Sequence, residues 1–219
     1  MRDGVCAARA PAASPLRRLR RLRRAELPRN AVDLARFLIG RYLVHDEEAG
    51  RTSGRIVETE AYLVGDAAAH AFRGETPRNR SLFLERGHAY VYFVYGCWYA
   101  FNVSAETHGI GAGVLVRALV PRDGVATMES RRGSRVLRDL ARGPGRLATA
   151  LAIDRALDGV DLCAAGPLWL GSDGVPPPPV GETTRIGLTK EAHRPLRFYS
   201  RASADLPFVS GPRAVLRAG

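Results

Sequence analysis

The segment GRIVETEAY (Gly54–Tyr62) reads as a β-strand that carries chemistry. A side-chain period of two sets Glu58, Glu60 and Tyr62 on one face, with neighbouring Cα atoms roughly 6.5–7 Å apart. Acids are disfavoured in strands, so two in succession on one face need a reason. An edge strand with a solvated face is one. The other is a general base for water beside a second, structural acid. A pocket and a like-charged neighbour move a carboxyl toward the range useful for proton transfer.

Working outward, Asn30 to Gly40 combines an N-cap, apolar residues at helical spacing and a glycine stop. Arg41–Asp46 and Arg55–Leu63 read as strands joined by a polar turn. Thr76-Pro77 is expected to open a short helix. Ala89–Tyr95 and Trp98–Ser104 form a hairpin around Gly96-Cys97, and Gly113–Val120 is an apolar strand. Asp123–Arg142 reads as a charged helix interrupted by Gly133, and Gly143–Arg146 as a turn into a helix over Leu147–Ile153. A rigid loop at Pro176–Pro179 precedes strands at Arg185–Leu188 and Leu196–Ser200. Strands adjacent in sequence, with helices between groups, predict an α+β fold. The expectation is a single domain over residues 27–219: a curved, largely antiparallel β-sheet with flanking helices and a protruding β-hairpin. Residues 1–26, rich in Ala and Arg, are expected to be a disordered tail. A basic arm on DNA and a transit peptide are the other readings of that composition.

The chain has 219 residues, a formal net charge of +11 and a pI near 10.5. That excess suits an anionic partner, nucleic acid or an acidic membrane. Nearly all of it is arginine, Lys190 being the only lysine. No apolar run approaches the roughly 20 residues that span a bilayer, and the N-terminus has no apolar secretory core. A soluble, cytoplasmic, bacterial-type protein is expected. Cys6, Cys97 and Cys163 offer neither a CxxC pair nor a disulfide framework, and the histidines show no metal-ligand spacing. Neither metal nor cofactor is therefore expected. GPGR lacks the Lys and Ser/Thr of a P-loop, and no GxSxG elbow occurs.

The hairpin is a second constellation. Tyr90 and Tyr92 point to one face and Val91, Phe93 and Tyr95 to the other, which leaves Tyr95 at the tip. Tyrosines in strands commonly serve packing and cross-strand pairing. A tip aromatic beside glycine is hard to bury locally and suits a wedge between base steps. Asn102, inside an apolar strand, needs a hydrogen-bonding partner, which the edge of a base can supply. Arg78, Arg80 and Arg117 are candidate phosphate contacts.

Together these stretches resemble the alkyladenine DNA glycosylases, also called 3-methyladenine or methylpurine DNA glycosylases. The resemblance runs through LARFLIGRYLV, GRIVETEAY, AAHAFRGETPRNRSLF, HAYVYFVYG, FNVS, VLVRALVP and GPGRLATALAI to RPLRFYSR, over nearly all of residues 27–201. It implies a monomeric, monofunctional base-excision-repair enzyme acting on duplex DNA without a cofactor. A damaged purine (3-methyladenine, 7-methylguanine, and in an extended range hypoxanthine or ethenoadenine) is flipped out, and its N-glycosidic bond is hydrolysed to leave an abasic site. Carried over by motif, Glu60 resembles the base that deprotonates the attacking water. Arg117 resembles the residue that holds that water and a nearby phosphate. Tyr62, His70 and Tyr92 would sandwich the flipped base, Tyr95 would fill the gap in the duplex, and Asn102 would crowd the exocyclic amine of normal guanine. Alkylation at N3 or N7 makes the purine cationic, which weakens the glycosidic bond and favours stacking on electron-rich rings. Val120, where family members often carry an acid, the TKEAH stretch after RIGL and the C-terminal FVSGPRAVLRAG depart from the pattern.

The competing readings are a non-catalytic damage-binding protein, a hydrolase of free nucleosides and an RNA-associated protein. A carboxylate beside an aromatic pocket has little use in binding alone, and a small nucleoside needs neither the +11 charge nor the Tyr95 tip. Strand cleavage by β-elimination needs an amine nucleophile. Lys190 is far in sequence from Glu60, which favours a water-using hydrolase.

Overall fold

The structure, a computed structural model, describes residues 18–210. Its centre is one curled antiparallel sheet, as the α+β reading expects. The strands are β1 (Arg20–Arg21), β2 (Tyr42–Glu47), β3 (Gly50–Tyr62), β4 (Ala89–Val94), β5 (Trp98–Ser104), β6 (Gly113–Pro121), β7 (Leu168–Ser172), β8 (Val180–Thr183) and β9 (Arg197–Ser200). The main path runs β1-β7-β2-β3-β6-β5-β4, with β9 bonded to β3 and β8 to β9. The 13-residue β3 changes partners along its length: Gly50–Arg55 faces β2, Glu58–Glu60 faces β9, and Gly54–Tyr62 faces β6.

Helix α1 (Ala31–Leu38) starts where Asn30 accepts the Asp33 amide at 2.8 Å. Ala31, Leu34, Ala35 and Leu38, spaced at helical intervals, are its buried face. The Thr59 hydroxyl ties that helix to β3 by donating to the Ala35 carbonyl at 2.9 Å. Gly40, at φ +85°, turns the chain into β2 beneath the proline loop, where a Cβ would lie 2.7 Å from Pro178 Cδ. The charged helix expected over 123–142 with an interruption at Gly133 is α2 (Val125–Arg132) followed by α3 (Leu137–Leu140). Gly133 adopts φ +59° and closes the first, its amide returning to Glu129 and Ser130. Helix α4 (Pro144–Ala150) opens with proline in its first turn and lies against β5, with Gly145 on the Trp98 ring.

Three expectations are corrected. Thr76-Pro77 opens no helix, because the buried Asn79 ties this stretch into a turn. Its Oδ1 accepts from the Thr76 amide (2.7 Å) and hydroxyl (2.9 Å), and its Nδ2 donates to the His70 carbonyl (2.9 Å). A single 3₁₀ turn at Arg80–Phe83 follows. Arg185–Leu188 is not a strand, since the Arg185 side chain is drawn inward to Asp66 and the Ile186 amide is spent on Glu60. Val180–Thr183 pairs with β9 in its place. Finally, the fold begins before Leu27. Arg20 and Arg21 pair with Ser172 and Gly171, the Leu22 amide bonds the Leu170 carbonyl at 2.9 Å, and Leu22 belongs to the apolar core. The rest of the expected tail, residues 1–17 with Cys6, lies outside the described residues, as do 211–219 of the unusual C-terminus. No helix among the described residues is long and apolar enough to cross a membrane.

Candidate active site

The ladder between β3 and β6 slips twice, between Ile56 and Glu58 and again between Glu58 and Thr59. One slip leaves Val57 over on β3 and the other leaves Arg117 over on β6. Such irregularities re-aim side chains. Here Arg117 is aimed across β3 at both acids: its Nε donates to Glu58 Oε1 at 3.1 Å and its Nη1 to Glu60 Oε2 at 3.1 Å.

Both carboxylates are fully buried, and among the described residues Glu58 has four donors around it and Glu60 three, which leaves one acceptor position open on Glu60 Oε1. Glu60 Oε2 also accepts from the Tyr62 hydroxyl at 3.0 Å, and Oε1 from the Ile186 amide at 2.8 Å. Glu58, Glu60 and Tyr62 thus share one side of β3, as a period of two requires. Glu58 Oε1 accepts a second bond from Arg197 Nε at 2.7 Å, while Oε2 takes the Ser210 amide at 2.7 Å and the Ser210 hydroxyl. Burial alone would weaken the Arg117 cation, but Glu60 and Glu58 outweigh it and raise its pKa.

Above this layer is a cavity of about 250 Å³. Tyr62, His70, Tyr92, Asn102, Tyr95 and Arg117 all contribute to its wall. Glu60 sits directly behind that wall, held by Tyr62, Arg117 and Ile186. The Tyr90 and Tyr92 rings stack with centroids 5.3 Å apart, and His70 meets Tyr92 edge-on at 4.4 Å. His70 Nδ1 and the Tyr90 hydroxyl are 2.9 Å apart. Burial, then the nearby Arg78 charge, lowers the His70 pKa, so the ring is neutral near pH 7. Burial, helped by Tyr95 and Glu60, pushes the Tyr92 phenol up to about 12. The tyrosines are therefore uncharged, electron-rich walls. Asn102 is buried beneath them, its Nδ2 bonded to the Tyr90 carbonyl at 3.2 Å.

Tyr95 and Gly96 form the tight turn of the β4–β5 hairpin, with φ +54° and +71° and the Cys97 amide returning to the Val94 carbonyl. Positive φ at both central positions is the mirror-image turn that suits hairpin twist. Tyrosine rarely tolerates it. The side chain is 86% exposed at the cavity mouth.

Arg78 and Arg80 are both exposed, but only Arg78 comes near the pocket, lining an adjoining open hollow with Arg73 and Lys190. Lys190 does not line the aromatic cavity. Four residues at the site were not foreseen: Arg185, Asp66, Arg197 and Ser210. Arg185 and Asp66 form a fully buried ion pair, and the Arg185 guanidinium lies 4.6 Å from the Tyr62 ring centroid. An arginine inside a short apolar strand, as in RFYS, is the same signal that marked Arg117.

The profile of the family described as Methylpurine-DNA glycosylase (MPG) matches residues 25–204. A protein of Mesorhizobium japonicum is 63% identical over 192 residues, 88% of this chain and 91% of its own length. One from Paraburkholderia phytofirmans is 54% identical, covering 89% of this chain and 90% of its own. One from Methanoculleus marisnigri is 49% identical, covering 80% and 92%. Each is named "Putative 3-methyladenine DNA glycosylase". With a matched profile and such similarity over nearly whole lengths, the chain belongs to the methylpurine-DNA glycosylase family, a DNA glycosylase that acts in DNA repair as a hydrolase on DNA.

Proposed function

We propose that the chain, as a monomer, flips alkylated purines such as 3-methyladenine and 7-methylguanine out of duplex DNA and hydrolyses their N-glycosidic bond with a water activated by Glu60. One observation carries this reading: a buried carboxylate, clamped by Arg117, lies behind the floor of an aromatic cavity the size of a base. Tyr62 and Tyr92, backed by His70, receive the flipped ring, and a cationic purine gains most from such faces. Asn102 at the base of the wall crowds the exocyclic amine of undamaged guanine. Water on the floor, beside Arg117, Tyr62 and Ile186, gives its proton to Glu60 as its oxygen bonds C1′ of the sugar. The electron pair of the breaking C1′–N bond leaves with the purine. A cationic purine leaves neutral, so no separate acid is required. Lys190 lies outside the cavity, which supports water rather than an amine as the nucleophile. Arg78 contacts the DNA backbone beside the pocket, and Arg80 does so farther out.

The test is base release from a duplex carrying one 7-methylguanine, with enzyme in excess. Release with an intact abasic strand is expected. Tight binding without release would replace the enzyme reading with damage recognition alone.

Tyr95 fills the space left by the flipped nucleotide. Its strained turn then predicts opposite effects for one change. Tyr95→Asn places a residue that tolerates positive φ, so the thermal midpoint should hold or rise, by the equivalent of up to about 1 kcal/mol. Base release should fall about tenfold or more, because asparagine cannot wedge between base pairs. Loss of stability without loss of release would refute both halves.

A further inference from the structure

Ser210 lies 150 residues from Glu60 in sequence, yet it is bound into the network behind the active site. Its amide (2.7 Å) and its hydroxyl both donate to Glu58 Oε2, while Arg197, which holds Oε1 at 2.7 Å, also donates to the Ser210 carbonyl. The segment that delivers it is pinned at several points. Asp205 takes Arg55 of β3 at 2.8 Å and the Ser200 hydroxyl at 2.6 Å. Leu206–Phe208 makes one 3₁₀ turn. Val209 is buried against Val57, Ala118 and Tyr199, and its carbonyl accepts from Arg142 Nε at 3.1 Å.

We propose that Ser210 is a positioning residue for catalysis, fixing the Glu58 carboxylate so that Glu58 holds Arg117 Nε and leaves Arg117 Nη1 on Glu60. This deepens the reading of Glu60 as the base and rests on it. Glu58 Oε2 takes both of these bonds from Ser210, whereas Oε1 is shared by Arg117 and Arg197. Without the hydroxyl, Oε2 keeps one donor, the Ser210 amide, and the carboxylate is held less tightly against turning about its last bond. Arg117 Nε then loses a fixed acceptor, and the guanidinium that borders both cavity and Glu60 swings with it. A buried ion-pair network is weak support for stability, since apolar packing does that task as well or better. It is strong support for geometry, because reacting groups must be held to fractions of an ångström.

The measurement is single-turnover release of 7-methylguanine by the full chain, alongside affinity for a duplex carrying an uncleavable abasic analogue. Ser210→Ala is expected to slow release about tenfold, the scale of one hydrogen bond to a charged group, with affinity within about twofold of wild type. Ser210→Thr keeps the hydroxyl and should recover most of the rate. Ser210→Cys, close to serine in size with a weak S–H donor, should fall between and replaces the alanine variant if that one does not fold. An alanine variant as fast as wild type, a loss seen equally in affinity, or a threonine variant no better than alanine would each overturn the proposal. A wild type that releases no base would instead overturn the glycosylase reading beneath it.

Discussion

Glu60→Gln is expected to slow single-turnover base release by about 10²-fold or more while leaving affinity for damaged duplex within a few fold. Glutamine has the same shape, and its carbonyl can still accept one of the bonds that Glu60 takes from Ile186, Tyr62 and Arg117. What it lacks is the capacity to take a proton from water. The loss should therefore appear in the chemical step and not in the complex. Cationic 7-methylguanine is the demanding substrate here, because its leaving group is already activated and some release survives without a base. A variant as fast as wild type would remove Glu60 from the chemistry and direct attention to Glu58, the other buried acid on that face.

Asp66→Ala should destabilise the protein by about 3–5 kcal/mol, read from urea unfolding at pH 7, by stranding the Arg185 cation. Both side chains are fully buried, with Arg185 Nη2 3.1 Å from Asp66 Oδ1 and Nη1 on Oδ2. Burial pushes the Asp66 carboxyl up, but the Arg185 hydrogen bonds and the Ala68 amide outweigh it and hold it below the ordinary range. The sign follows from linkage. This contribution is complete above the unfolded value near 3.9 and is lost as pH falls through the lower folded value. Asp66→Asn should accordingly flatten the acid side of the stability profile. Activity should also fall in the alanine variant, because Arg185 anchors Ile186, whose amide holds Glu60. An alanine variant within about 1 kcal/mol of wild type would mean that Arg185 finds another partner or water.

Local pattern made much of this fold readable. Runs of β-branched and aromatic residues bounded by turn residues located β3 to β6, the Asn30 cap and Gly40 bounded α1, and glycine beside an aromatic marked the hairpin tip. Glu58, Glu60 and Tyr62 were legible because acids on a strand face are unusual. The rest lay in pairings that no local pattern encodes. Asp66 meets Arg185 across 119 residues, and Glu58 meets Ser210 across 152. The β3–β6 slips depend on two strands at once, so neither stretch alone predicts where Arg117 aims. Thr76-Pro77 misled because proline suits a first helical turn, while the Asn79 side chain offers the backbone a competing turn. Arg20–Glu26 reads as tail because an Ala/Arg-rich stretch looks solvated, while the partner that orders Arg20 and Arg21, β7, comes some 150 residues later.

That short N-terminal pairing has a consequence for the solution behaviour of shortened versions. In the sheet order, β1 covers β7, whose Leu168–Ser172 is apolar and buried. A version starting at Leu27 would uncover a row of unsatisfied amides and carbonyls on that strand and remove Leu22 from the core. Uncovered strand edges recruit other chains, whereas charged side chains on the outermost strand repel them. Arg20 and Arg21 place two such charged side chains on the strand that covers β7. The shortened protein should self-associate at concentrations where the longer one stays dispersed.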